Sequence, residues 1–156
     1  MEITMTMDNH TRRAPAVLAA LLLAGVFMAG AAHAQLPPAQ TANGIQYVTG
    51  GFGQEESSAF KQARSSYALA LTFAVSGDGG SSPYAGDVQV HVRNAQGGTV
   101  LNATSTGPYF LTNLQPGSYR LDVTYEGVTQ SREVAIKQGK ATDLKFTWKR
   151  PAAGPD

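Results

Sequence analysis

The chain has no cysteine. Disulfide staples and thiolate metal centres are therefore excluded, and any small domain in it must hold together by packing alone. Histidine is scarce: His10 and His33 fall in the first 34 residues, and only His91 lies beyond them. One imidazole cannot build a His-rich zinc site, and a Ser-His-Asp arrangement would have to use that one residue. A charge excess is missing too. Past residue 34, five Lys and five Arg face nine Asp and Glu, a net charge of +1. No cluster of basic residues marks a nucleic-acid footprint. Tryptophan occurs once, as Trp148.

Long apolar runs are also missing, with one exception. Residues 14–32 are rich in Ala and Leu, follow Arg12 and Arg13, and end in Ala32-His33-Ala34 before Gln35. A basic start, an apolar middle and small residues at the two positions a signal peptidase reads make a secretory signal peptide over 1–34, cleaved after Ala34. The run is long enough to span a bilayer, but no basic flank follows it, and the Ala-x-Ala ending favours cleavage over an anchor. Contact with a membrane is then expected only through this segment before cleavage. No cysteine stands at the cleavage site, which excludes a lipid anchor. The expected location is the periplasm of a Gram-negative bacterium, or the medium.

Residues 107–123, GPYFLTNLQPGSYRLDV, organise what remains. Tyr119, Leu121 and Val123 alternate with Ser118, Arg120, Asp122 and Thr124, the period of a strand with one buried face. Tyr109, Leu111 and Leu114 precede them. Pro116-Gly117 between the two sets fits the centre of a type II turn, so the stretch reads as a hairpin around residues 115–118.

Other strands follow the same logic. Residues 67–75 alternate Tyr67, Leu69, Leu71, Phe73 and Val75 with Ala68, Ala70, Thr72 and Ala74, small residues suggesting partial cover on the second face. Val88, Val90 and Val92 alternate with Gln89, His91 and Arg93, and Leu144, Phe146 and Trp148 with Lys145, Thr147 and Lys149. Turn residues recur every 8 to 12 positions or so, as in an all-β sandwich. Short connections point to antiparallel pairing. The expected fold is an antiparallel seven-stranded sandwich of immunoglobulin-like or prealbumin-like type with one short N-terminal helix. The expected core is Leu69, Leu71, Phe73, Val88, Val90, Val92, Leu111, Leu114, Tyr119, Leu121, Val123, Leu144, Phe146 and Trp148.

The segments divide accordingly. Residues 35–53 read as a mobile leader ending in the Gly-rich turn Gly50-Gly51-Phe52-Gly53, and 54–66 as a helix with Glu55 and Glu56 at its start and Lys61 and Arg64 toward its end. Its narrow stripe of Ala59, Phe60 and Ala63 suits docking on an edge of the sandwich. The sandwich occupies 67–149, and 150–156 is a disordered tail. The Gly-rich turn could present N–H groups to an anion, but its spacing fits no nucleotide fingerprint. Asp78, in a Gly-Asp-Gly loop, supplies one carboxylate where calcium needs several.

Two stretches resemble the carboxypeptidase regulatory-like domains, which are transthyretin-like sandwiches. Gly107, Tyr109, Leu111, Leu114, Pro116, Gly117, Tyr119, Leu121 and Val123 occupy that family's Gly, aromatic, apolar, Leu-x-Pro-Gly-x-Tyr pattern. Residues 83–90, PYAGDVQV, look like its Pro-x-Ala-Gly-x-x-Val-x-Val strand with one residue fewer between Gly86 and Val88. The likeness spans roughly residues 67–148 and leaves out the helix. The turn before Gly107 lacks the usual Asp or Asn. The resemblance implies a β-sandwich without a catalytic domain of its own. The hydroxyisourate hydrolases of related fold need several His and Arg residues and a C-terminal Tyr-Arg-Gly-Ser, which this chain lacks.

Function then narrows to a non-enzymatic interaction module, without a cofactor or metal, whose partner is another periplasmic or secreted protein. The alternative is a small-ligand or glycan-binding domain stacking sugars on Phe52, Tyr84, Tyr109 or Phe110. The weakest reading is a hydrolase centred on His91 with Asp87 or Asp122.

Overall fold

The structure, a computed structural model, describes residues 34–77 and 85–150. Among these residues nine strands form two sheets. The order along the chain is β1 (Gln40–Ala42), β2 (Ile45–Gly50), helix α1 (Gln54–Ala63) with a 3-10 turn over Arg64–Ser66, β3 (Leu69–Ser76), β4 (Val88–Asn94), β5 (Thr99–Ser105), β6 (Tyr109–Thr112), β7 (Gly117–Tyr125), β8 (Val128–Ile136) and β9 (Thr142–Lys149). The five-stranded sheet A runs β1-β2-β6-β3-β9, and the four-stranded sheet B runs β5-β4-β7-β8.

The sandwich core lies where the inner faces of the two sheets meet. Leu69, Leu71 and Phe73 come from β3, Val88, Val90 and Val92 from β4, Leu121 and Val123 from β7, and Phe146 and Trp148 from β9. Each set is the apolar half of an alternating strand, so burying one face per strand fixes the register. Tyr119 and Leu144 pack partly buried at its margin.

Four expectations need correction. The strand count is nine rather than seven, because residues 35–53 are not simply a leader. Gln40–Ala42 and Ile45–Gly50 pair as a hairpin, Ala42 opposite Ile45, across Asn43-Gly44. Asn43 has φ 53° and Gly44 φ 78°. Asn-Gly tolerates two successive left-handed residues, as a two-residue type I′ turn requires.

The pairing is not wholly antiparallel. β3 and β9 run parallel along their full lengths, from Leu69 opposite Thr142 to Ser76 opposite Lys149. Short connections forbid parallel pairing only between strands adjacent in sequence; here five strands intervene.

Residues 107–123 are not a hairpin. β6 pairs with β2 and β3 in sheet A, whereas β7 pairs with β4 and β8 in sheet B. Pro116 belongs to a link that carries the chain from one sheet to the other. Gly117, at φ 157°, already lies in β7 and has none of the geometry of a type II turn.

The phase of β6 is opposite to that expected. Phe110 is fully buried in the sandwich core, while Tyr109 and Leu111 face the other way and pack with Val48, Ala70 and Phe60 of α1. The helix therefore covers the outer face of sheet A rather than an edge, and the described residues form three layers: helix, sheet A, sheet B. Because β6 is buried on both sides, no alternation marks which of its residues faces which layer.

Candidate functional site

Two outer sheet faces remain after the core is formed, and they differ. That of sheet A is apolar beneath α1. That of sheet B is polar, and among the described residues it bears no helix. Register places its side chains in rows across the strands. One row holds Thr104, Gln89, Thr124 and Thr129; the next Asn102, His91, Asp122 and Ser131; the third Thr99, Arg93, Arg120 and Glu133. A register shift in the β4–β5 pairing between Val92 and Arg93 brings Thr99 opposite Arg93. Bulges of this kind re-aim side chains at functional edges.

Asp122 is the hub of this face. Its carboxylate accepts hydrogen bonds from the Ser131 hydroxyl and the Arg93 guanidinium, and a longer one, 3.4 Å, from Arg120 Nε. The Ser131 hydroxyl does most to hold the Asp122 carboxyl below its ordinary range; the two guanidinium groups add to the effect, and partial burial opposes it. Arg93 Nε is buried and has no hydrogen-bond partner among the described residues. A groove of about 540 Å³ opens at this end of the sheet, its walls including Arg93, Asn94, Tyr119, Arg120 and Glu133.

His91 stands beside Asp122 in register but is not coupled to it by a hydrogen bond. Its Nε2 lies 2.9 Å from Thr99 Oγ1, and the Asp122 oxygens are engaged by Ser131 and the two arginines. Asp87, exposed at φ 54°, precedes β4. Neither carboxylate orients the imidazole as a hydrolytic triad requires. Among the described residues, no three His, Asp or Glu side chains gather as metal ligands.

The proposed sugar-stacking aromatics are not brought together. Phe110 is fully buried and stacks on Tyr47 at 5.0 Å between ring centroids. Tyr109 is 4% exposed and stacks on Phe60 at 5.5 Å. Both are structural, and neither face can receive a sugar. Of the three that lie among the described residues, only Phe52 is open, 56% exposed, its ring against Gly86. Tyr84 and the Asp78 loop lie outside the described residues, as do Ala32 and the rest of residues 1–33. Ala34 and Gln35, on either side of the expected cleavage point, are exposed ahead of β1.

The Gly-rich turn is closed from within. The Glu56 carboxylate accepts the Gly51 N–H at 2.9 Å, so a side chain of α1 occupies the place an anion would take. Glu56 thus ties the turn to the first turn of the helix, and Glu55 beside it is exposed. Of the remaining motif residues, Gly107 lies against the backbone of Gly50, and Leu114 is buried. The Tyr119 hydroxyl donates to the Gln115 carbonyl at 2.7 Å, bridging the link between the sheets.

Arg120 stands two residues before Asp122 on β7, so alternation alone puts the two on one face, whereas Arg93 of β4 and Ser131 and Glu133 of β8 were legible only as positions on other strands. Their assembly around Asp122 depends on which strands are neighbours, and no local pattern encodes that.

With this geometry in view, the family resemblance takes a definite extent. The family model of the carboxypeptidase regulatory-like domain matches residues 78–149, a little under half of the chain. That segment holds β4 through β9, including all of sheet B and its polar face. The regulatory-like domains of this family are non-catalytic. β1, β2, α1 and β3 lie before the matched segment, which begins later than the Tyr67 suggested by the sequence motifs. No curated protein matches the chain.

Proposed function

We propose that the chain is an exported, non-enzymatic interaction module that meets another protein, in the periplasm or outside the cell, through the polar face of sheet B. The observation that carries this reading is the difference between the two sheets. A face meant only for stability is covered, as α1 covers sheet A; among the described residues nothing covers the face of sheet B, which carries an organised network of charged and hydroxyl side chains. The match to a regulatory-like family supports the same reading, as does a lone imidazole without a carboxylate partner. Export is supported by the basic start, apolar run and Ala-x-Ala ending of residues 1–34, and by a cleavage point lying exposed ahead of the first strand.

A photo-crosslinking side chain placed at Gln89 or Thr104 tests the proposal in cells that produce the protein. One reproducible adduct from those positions, and none from Lys61 on α1, is the expected result. Adducts from Lys61 alone would sink it, and so would reproducible hydrolytic turnover by the purified protein.

A further inference from the structure

We propose that the groove at the Arg93 end of sheet B binds a carboxylate of the partner protein, with Arg120 as the residue that grips it. The inference rests on the interaction-module reading and names the partner's chemistry on that same face.

Arg93 and Arg120 stand directly opposite each other on neighbouring strands. Like charges so placed repel across an antiparallel pair. One carboxylate, that of Asp122, is shared between both guanidinium groups, so the trio keeps one positive charge over. The sharing is unequal. Arg93 is the more tightly held, whereas Arg120 reaches Asp122 only through Nε at 3.4 Å and leaves 53% of its side chain in solvent. Arg120 lines the groove, its contact with Asp122 uses Nε rather than the two terminal nitrogens, and a planar fork of such nitrogens matches the two oxygens of a carboxylate. Asn94 lines the same groove, where its side-chain amide carbonyl already accepts the N–H groups of Gln96 and Gly98. That leaves the amide's own donors for a ligand.

Glu133 is the opposing term. It faces Arg120 in register from β8, yet among the described residues no ion pair joins the two. Its charge repels an anion arriving over β8 and so directs a carboxylate to the Arg93 and Asn94 side. A protein carboxylate fits better than an acidic sugar, because Tyr119, the groove's aromatic residue, is half-buried and has its hydroxyl engaged with Gln115. Only part of its surface is left for stacking.

The test titrates the isotope-labelled, exported protein with a glutamate tetrapeptide and, in parallel, with a glutamine tetrapeptide amide and a polyuronate. Expected are NMR shifts centred on Arg120, Arg93 and Asn94 with the glutamate peptide only, abolished by high salt because an exposed ion pair is screened. Arg120→Ala should weaken binding roughly tenfold or more, and Arg120→Lys should recover only part of it, the charge being kept and the fork lost. Glu133→Gln should tighten it. Melting curves of the Arg120 variants should match the parent, since the side chain is half in solvent. Equal shifts with the glutamine peptide, equal binding of polyuronate, or undiminished binding by Arg120→Ala would each overturn the assignment. If the sheet B crosslinks persist in Arg120→Ala, the module reading stands and this site falls. If the glutamate peptide binds here while the protein proves to be a hydrolase, the site stands and the module reading falls.

Discussion

Phe60 of α1 stacks on Tyr109 of β6, ring centroids 5.5 Å apart and planes within 14°. This contact joins the helix to the outer face of sheet A. Phe60 is fully buried although α1 has few other apolar residues, so the helix depends on one ring. Phe60→Ala should cost about 3–5 kcal/mol, the range for removing a buried aromatic, and amide exchange along α1 should speed up before that of β4 and β7. Uniform loosening of both sheets would show that the helix is integral rather than a separate layer.

The aromatic residues of the chain separate into core and surface, and stability measures the difference. Phe110→Ala should cost about 3–5 kcal/mol in chemical denaturation. Phe52→Ala, more than half exposed, should stay within about 0.5 kcal/mol of the parent. Equal losses would contradict the placement of both rings.

Gly107 meets Gly50 backbone to backbone. A Cβ at Gly107 would fall on the Gly50 carbonyl, and neither main chain can give way as a flexible side-chain tip would. Gly107→Ala should therefore destabilise by about 3 kcal/mol, at the upper end for overpacking. Gly139→Asn, at a turn with φ 72° and open space around it, should cost far less. Comparison of the two melting temperatures checks this.

Asp122 makes the polar face sensitive to acid. Its carboxyl is held below the ordinary value of 3.8, so its contribution is full above that pH, where the unfolded carboxyl is ionised too. The contribution is lost as pH falls through the lowered value of the folded state. Melting temperature measured against pH should show this loss below about pH 4. Asp122→Asn should remove that part of the acid sensitivity. It should also melt lower at neutral pH, because Arg93 and Arg120 then face each other with no carboxylate between them.

Local pattern and tertiary structure divided the work unevenly. Alternation along β3, β4, β7 and β9 named the inward residues correctly, because one buried face per strand writes itself into the sequence with a period of two. The Asn43-Gly44 hairpin was missed: Asn-Gly is a strong local sign of a two-residue turn, but the polar, Pro-containing residues around it concealed the strand they flank. β6 was not legible. Buried against the core by Phe110 and against α1 by Tyr109 and Leu111, it shows an unbroken apolar run that fits either phase.

What the sequence determined by itself is a packed, cysteine-free β-sandwich with one short helix, behind a segment that reads as an export signal. Composition, periodicity and turn chemistry are local properties, and they suffice for that. Only the tertiary structure decided that residues 107–123 pass between sheets, that β3 and β9 run parallel, and that Asp122 holds two arginines from neighbouring strands on an open face. Those facts depend on which strands become neighbours. Burial of the whole core settles that choice, and no stretch of chain carries it alone.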